Sequence, residues 1–383
     1  MAGGKKYFNT QQSMTDGSLL KSIKHNCDIS DARDNGIYSI CTLVLKLRNL
    51  YKWEHGLEPW EEHDSPVLLD WIAAKEEYWQ AINAEPFSPI PINGEGIDPF
   101  LLPVINRHLS VNNYFYGAGY GRSMKAVFFM AEILEERQVG GCPTLILGKE
   151  KARELSSPFA MLQDGIIFIR KDPMRFFFWD QIQEINPSCR IALQQALGAY
   201  GLMKDGCSLD REKLISIFDH VVDEELEIFI YHEVGESQEN LLDSSKLKEI
   251  IAAYPATVLE LLARAVKDIL ADTHPMGLLS HIVGMEKKSS LGFYISFLDG
   301  IRKLLCPGLN EASKKFWDNG DWSLLQYAIM ECRQKNEAIA YKLLDMNQRL
   351  DKGESPEKVR IWAGKNVLAP LGLQVPEREE GVT

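Results

Sequence analysis

YFYGAGYGRSMKAVFF, residues 114–129, decides what kind of fold the N-terminal half can adopt. Gly117, Gly119 and Gly121 follow a short aromatic run and precede a long apolar stretch. The pattern predicts a strand in VNNYFYG (111–117), a helix in RSMKAVFFMAEILEERQ (122–138) and a buried-type strand in CPTLILG (142–148), together a β-α-β unit. A glycine loop at a helix start turns backbone N–H groups toward an anion, and the helix dipole favours negative charge there. Gly117, Gly119, Gly121, Arg122 and Lys125 therefore form a candidate anion- or phosphate-ligand site. The spacing is GxGxG rather than GxGxxG, no acidic residue closes the second strand, and no Gly-Lys-Ser/Thr occurs. A tight turn that packs Tyr116 and Tyr120 is the other reading of the same residues.

Upstream of this stretch, LLKSIKHN (19–26), IYSICTLVLKLRNLYKWEHG (37–56) and SPVLLDWIAAKEEYWQAIN (65–83) carry apolar residues at helical spacing. Ser65 reads as an N-cap with Pro66 in the first turn. AEPFSPIPINGEGIDPF (84–100), with four prolines, cannot stay regular for long. YKWEHGLEPWEEHDSP (51–66) sets Trp53, His55, Trp60 and His63 in a connection, where aromatic packing is the main reading and a lined pocket the alternative. Downstream, GIIFIRKDPMRFFFWDQI (165–182) reads as strand, turn, then strand or helix. Arg170, Lys171 and Arg175 are expected there as solvated flanks of a core strand.

From Ser188 to Leu350 the pattern is almost wholly helical. The expected fold is mainly α with a small α/β portion: an α+β domain over 1–187, a helical bundle over 188–352 and a C-terminal arm over 353–383. The first residues, MAGGKKYFNTQQSMTDGS, read as a short arm without the apolar segment of a secretory signal.

Composition narrows the function classes. At 383 residues with 45% hydrophobic and 25% charged residues, the chain has the make-up of a soluble globular protein. A net charge of −12 disfavours nucleic acid or an anionic membrane as partner. The seven cysteines form no CxxC, which points away from a disulfide framework or zinc ribbon and toward a reducing cytoplasm.

Chemistry concentrates in DREKLISIFDHVVDEELEIFIYHEVGE, residues 210–236. Projected as one helix, Leu214, Phe218, Val221, Val222, Ile228 and Phe229 share a face, and most of the charge falls opposite. Glu225, His232 and Glu236 instead fall within the apolar stripe. In the next two segments, Asp272 and Glu286 also fall on the expected buried side, with Asp268 at the margin. Helical bundles build di-iron and related centres from such inward carboxylates and histidines. The Glu-x-x-His pairs of ferritin-like proteins are absent, and HEVGE has Glu236 where a zincin helix has its second histidine. If 209–235 and 245–272 were two antiparallel helices, His232 and His274 would lie about 30 Å apart, at opposite ends.

The candidate metal ligands are accordingly Glu225, His232, Glu236 and Glu286, with iron, zinc or manganese as the metal. Three functions stay open. The protein is a metal-dependent or acid/base enzyme with a carboxylate–histidine site, a non-catalytic binding or scaffolding protein with structural buried polar groups, or an anion binder through the glycine loop. The partner is a small molecule or a protein, a second copy of the chain included.

Overall fold

In the computed structural model, residues 11–121, 124–183, 190–204, 208–255, 257–298 and 300–374 are described. They form two compact units. The first lies within 1–137, 144–161 and 168–180, the second within 138–143, 162–167 and 181–383. The protein is mostly helical with one substantial sheet, and its C-terminal part is helical.

The first unit opens with α1 (Gln11–Asp34), α2 (Ile40–Glu54) and α3 (Ser65–Ile82). Gln11–Ser18, expected within an arm, are already helical. Ser39 caps α2 by accepting from the Thr42 N–H. In α3, Asp64 holds the cap position and Ser65 is the first helical residue, with Pro66 in the first turn. Ile29, Leu47, Leu50, Trp79, Ile82 and Leu155 pack into one core cluster. The proline-rich connection holds only a ribbon, β1 (Ile90–Ile92) with β2 (Glu95–Ile97), before α4 (Leu102–Leu109).

The sheet follows: β3 (Tyr114–Tyr120), β4 (Ala126–Val139), β5 (Cys142–Arg153), β6 (Ala160–Gln163) and β7 (Ile166–Arg170), in the order β3-β4-β5-β7-β6. Here the expected β-α-β unit is corrected. β4 occupies the predicted helix and pairs antiparallel with β3, Tyr114 opposite Glu132 and Tyr120 opposite Ala126. Ala126–Ala131 are all buried. An apolar run buried on every side has no period by which helix and strand can be told apart. Tertiary pairing then overrides the helix-forming residues of EILEERQ.

The glycine loop goes with the helix. Gly117 and Gly119 sit inside β3, opposite Phe129 and Val127, so no loop opens toward a ligand there. A Cβ on Gly117 would come within 2.1 Å of the Phe129 ring, which is why glycine stands at that position. The Gly121 N–H donates to the Lys125 carbonyl at 2.8 Å. Lys125 is buried, its ammonium donating to Ser30 Oγ at 2.7 Å and Asp31 Oδ1 at 2.8 Å, with Glu154 at 3.4 Å. Arg122 lies outside the described residues.

Then comes α5 (Lys171–Gln183). Arg170, expected on a solvated flank, is fully buried. Its guanidinium binds Glu150 and lies 4.0 Å from the Phe129 ring centroid.

The second unit strings α6 (Arg190–Ala199), a ribbon of β8 (Met203–Lys204) and β9 (Ser208–Leu209), then α7 (Arg211–Glu224) and α8 (Leu226–Gln238). The helix expected over 210–236 is therefore two helices. Glu225 leaves the helical region (φ −96°, ψ 3°) and resets the phase of everything after it. α9 (Ser244–Ala253) and α10 (Val258–Asp272) flank Pro255, the residue that cannot donate to a continuing helix. α11 (Leu278–Gly284), α12 (Lys288–Phe297), α13 (Gly300–Leu305), α14 (Pro307–Asn319), the 30-residue α15 (Trp322–Asp351) and α16 (Pro356–Ala363) complete it.

α10 is the central element, packed by α8, α13 and α15, with Leu262, Val266, Ile269 and Leu270 fully buried. Residues 356–371, expected in an arm, are helical and bury Val359, Ala363, Val367 and Leu368. A disulfide joins Cys306 and Cys332, a pairing that the scattered cysteines did not suggest. Among the described residues, no helix is long and apolar enough to cross a membrane.

Candidate acid and base centre

The contact between α8 and α10 positions the ionisable groups of the second unit. A Cβ on Gly235 would fall 2.1 Å from the Ala271 carbonyl oxygen, so glycine alone lets the two backbones approach this closely. His232 and Glu236 flank Gly235 on the same face of α8, at the i, i+3, i+4 spacing of one helix side. His232 Nδ1 meets Asp272 Oδ1 at 2.7 Å, and Glu236 accepts a hydrogen bond from Lys267.

Asp272 ends α10 and is fully buried. Its Oδ2 accepts from Tyr294 Oη on α12 at 2.9 Å and from Arg302 Nη2 on α13 at 2.7 Å. Burial opposes its ionisation, but the charges of His232 and Arg302 outweigh burial and hold the carboxyl below its ordinary range. Burial likewise opposes the His232 imidazolium, yet Asp272, with Glu233 and Asp268 adding, pushes it up to about 10. His232 is thus a fixed cation at neutral pH. Its Nδ1–H is held by Asp272, and Nε2 has no partner among the described residues on a side chain 20% exposed.

Glu233, the next residue, is 6% exposed and has no hydrogen-bond partner among the described residues. Burial pushes it up to about 7, with His232 pulling it down and Glu236 and Asp268 pushing it further up. Burial also raises Asp268. Arg302 carries one more unsatisfied buried group, its Nε–H. Two adjacent side chains therefore differ sharply: one a permanent donor, the other a carboxyl that exchanges its proton near neutrality.

The four expected metal ligands are not brought together. Glu225, at the helix break, is fully buried and satisfied, accepting from Tyr200 Oη and Ser290 Oγ, each at 2.6 Å. His232 binds Asp272 and Glu236 binds Lys267. Glu286 is exposed, in a left-handed turn (φ 52°) between α11 and α12. Among the described residues, no group of three or more His, Cys, Asp or Glu is arranged to hold a metal ion.

The expected distance between His232 and His274 is also corrected, because Asp272, two residues before His274, bonds directly to His232. α8 packs antiparallel against α10, and α9 is a separate helix. His281 serves a different network: it stacks on Tyr231 with centroids 3.6 Å apart and bonds Glu227, which this bond and Lys287 hold down at about 2.

Sequence reasoning placed Asp272 on the buried side but missed Glu233, Tyr294 and Arg302. Projected straight through the break at Glu225, Glu233 falls only at the margin of the apolar face. Restarting the helix phase at Leu226 is the signal that recovers it. Tyr294 and Arg302 lie on later helices, and no local pattern marks them.

Residues 18–170 match the N-terminal domain of a family of unknown function, DUF6866, and residues 175–362 match the C-terminal domain of the same family. No curated protein and no solved structure matches the chain.

Proposed function

Starting from a chain that carries both domains of the DUF6866 family and so belongs to it, we propose that the protein is an acid–base enzyme whose centre is His232 with Glu233. The observation that carries this reading is the Asp272 carboxylate. It is buried and accepts from His232, Tyr294 and Arg302, so the imidazolium is fixed with Nε2 left over, and the next residue in the chain, Glu233, is buried and unbonded among the described residues. A carboxylate beside a fixed N–H donor suits proton abstraction next to a carbonyl. Glu233 takes the proton while His232 Nε2–H stabilises the oxyanion that develops. The separate partners of Glu225 and Glu236, and the exposed position of Glu286, favour this metal-free version of the carboxylate–histidine site.

Carbon-13 NMR of the Glu233 side chain tests the reading directly. Titration near pH 7 supports it, and titration in the ordinary carboxylate range overturns it. Deuterium incorporation next to the carbonyl of keto acids and ketones in D2O then reads the chemistry, with Glu233→Gln expected to slow exchange by about 100-fold or more.

A further inference from the structure

The first unit carries a half-open cavity of about 620 Å³ between α1, α2, β5 and α5, within the size range of small-molecule sites. Two of its lining side chains are buried and incompletely satisfied. Arg153 is 5% exposed; Nη2 donates to the Asn49 carbonyl at 3.0 Å, while Nε and Nη1 find no acceptor. Glu150 is 3% exposed; Oε1 accepts from Arg170 Nε at 2.6 Å, and Oε2 finds no donor.

Arg153 Nη1 and Glu150 Oε2 stand 3.9 Å apart. A direct charge-assisted hydrogen bond would close that distance to about 2.8 Å. A buried polar group left unmatched costs roughly 1–3 kcal/mol, so a donor and an acceptor kept side by side in a cavity wall need a reason. The guanidinium is held in place by rings rather than by further hydrogen bonds. Its centre lies 4.8 Å from the Trp53 ring centroid and 5.0 Å from that of Phe176.

The charge that remains available around the cavity is positive. Apart from Glu150, its acidic side chains are answered within the protein: Asp31 by Lys125, Asp28 and Glu54 by Lys75, Glu58 by Arg175, and Asp172 by the Glu150 N–H at 3.1 Å. Lys24 and Lys149 line the cavity, are exposed, and pair with no acid among the described residues.

We propose that this cavity binds a small organic anion that carries an amine or hydroxyl next to its charged oxygen. Arg153 Nη1 holds the charged oxygen, Glu150 Oε2 accepts from the neighbouring N–H or O–H, and Lys24 and Lys149 attract the ligand. Amino acids, hydroxy acids and sugar phosphates share this chemistry. The site uses no residue of the second unit and stands or falls separately from the acid–base centre.

Calorimetry on the full chain with matched pairs of ligands tests it: malate and aspartate against succinate, and glycerol 3-phosphate against propyl phosphate. In at least one pair the donor-bearing member should bind about 10-fold tighter, the worth of one hydrogen bond in a buried site. Which pair responds identifies the anion as carboxylate or phosphate. Glu150→Gln should abolish the difference and Arg153→Gln should abolish binding. Because either variant could disturb folding, Lys24→Ala with Lys149→Ala, both exposed, is the second arm: affinity should drop several-fold and lose part of its salt dependence. No binding by any compound, equal binding within both pairs, or binding indifferent to Lys24 and Lys149 overturns the proposal.

Discussion

Each unit of the molecule buries a cluster of charges, and the two clusters end differently. In the first unit, Lys125 lies between Asp31 and Glu154 and every strong acceptor is met. Asp31 takes the Lys125 ammonium and the Leu155 N–H, and Glu154 takes the N–H groups of Ser156 and Ser157. Burial still pushes Asp31 up to about 6, even against the pull of Lys125, because two carboxylates share one ammonium. In the second unit, Asp272 is equally buried and equally satisfied, but its partners are not. His232 keeps Nε2, Arg302 keeps Nε, and Glu233 stands unbonded beside them. A closed cluster fixes the packing of helix against sheet; an open one holds donors and a titrating carboxyl in readiness. The difference lies in what the partners have left over, not in burial.

Breaking the closed cluster should have the largest effect. Lys125→Met leaves two buried carboxylates without their cation, and about 3–5 kcal/mol of stability should be lost in urea unfolding. A loss near zero would mean that the two carboxylates take up protons at little cost, and the contrast between the clusters would fail. Asp272→Asn should cost somewhat less, about 2–4 kcal/mol, because His232 can shed its proton and an amide oxygen still accepts from Arg302, whereas Lys125→Met strands two carboxylates together. Its more telling effect is on the ring: without Asp272, the His232 titration should fall by NMR from about 10 toward the ordinary histidine value of 6.5 or below. An unchanged titration would assign the shift to Glu233 and Asp268 instead.

How much of this was legible beforehand depended on whether the determinant was local. The helices of the first unit follow from apolar spacing, readable over a few residues. β4 was not readable, because Ala126–Ala131 are apolar without a period and only pairing with β3 makes them a strand. The glycines of that stretch owe their identity to the Phe129 ring across the ladder, a contact with no trace in local sequence. At the candidate centre, period places Asp272 inward, where it is fully buried, while His232 and Glu236 fall at a half-buried edge. Their grouping was missed because the bend at Glu225 rotates α8 relative to α7, and a continuous projection carries that error through to Glu233. Arg302 and Tyr294 arrive from helices 30 and 22 residues beyond Asp272, which no projection of single segments can pair.

The smallest effect separates the open cluster from the closed one by its pH dependence. Glu233 has an ordinary value of 4.5 and is pushed up to about 7 in the fold, chiefly by burial. The folded state thus holds this proton more tightly than the unfolded chain does. Its contribution to stability is fully present below about pH 4.5 and is lost as pH rises through about 7. Glu233→Gln removes that dependence without removing much volume. Relative to the wild type, the variant should gain about 3 kcal/mol between pH 4.5 and pH 8, read from urea unfolding at both values. His232, with its folded value also raised, loses its own contribution over the higher window from 6.5 to about 10, so the two are separable by pH. If the stability difference between wild type and Glu233→Gln stays flat from pH 4 to pH 8, Glu233 is ionised and solvated like any surface carboxylate. The second cluster would then be as closed as the first.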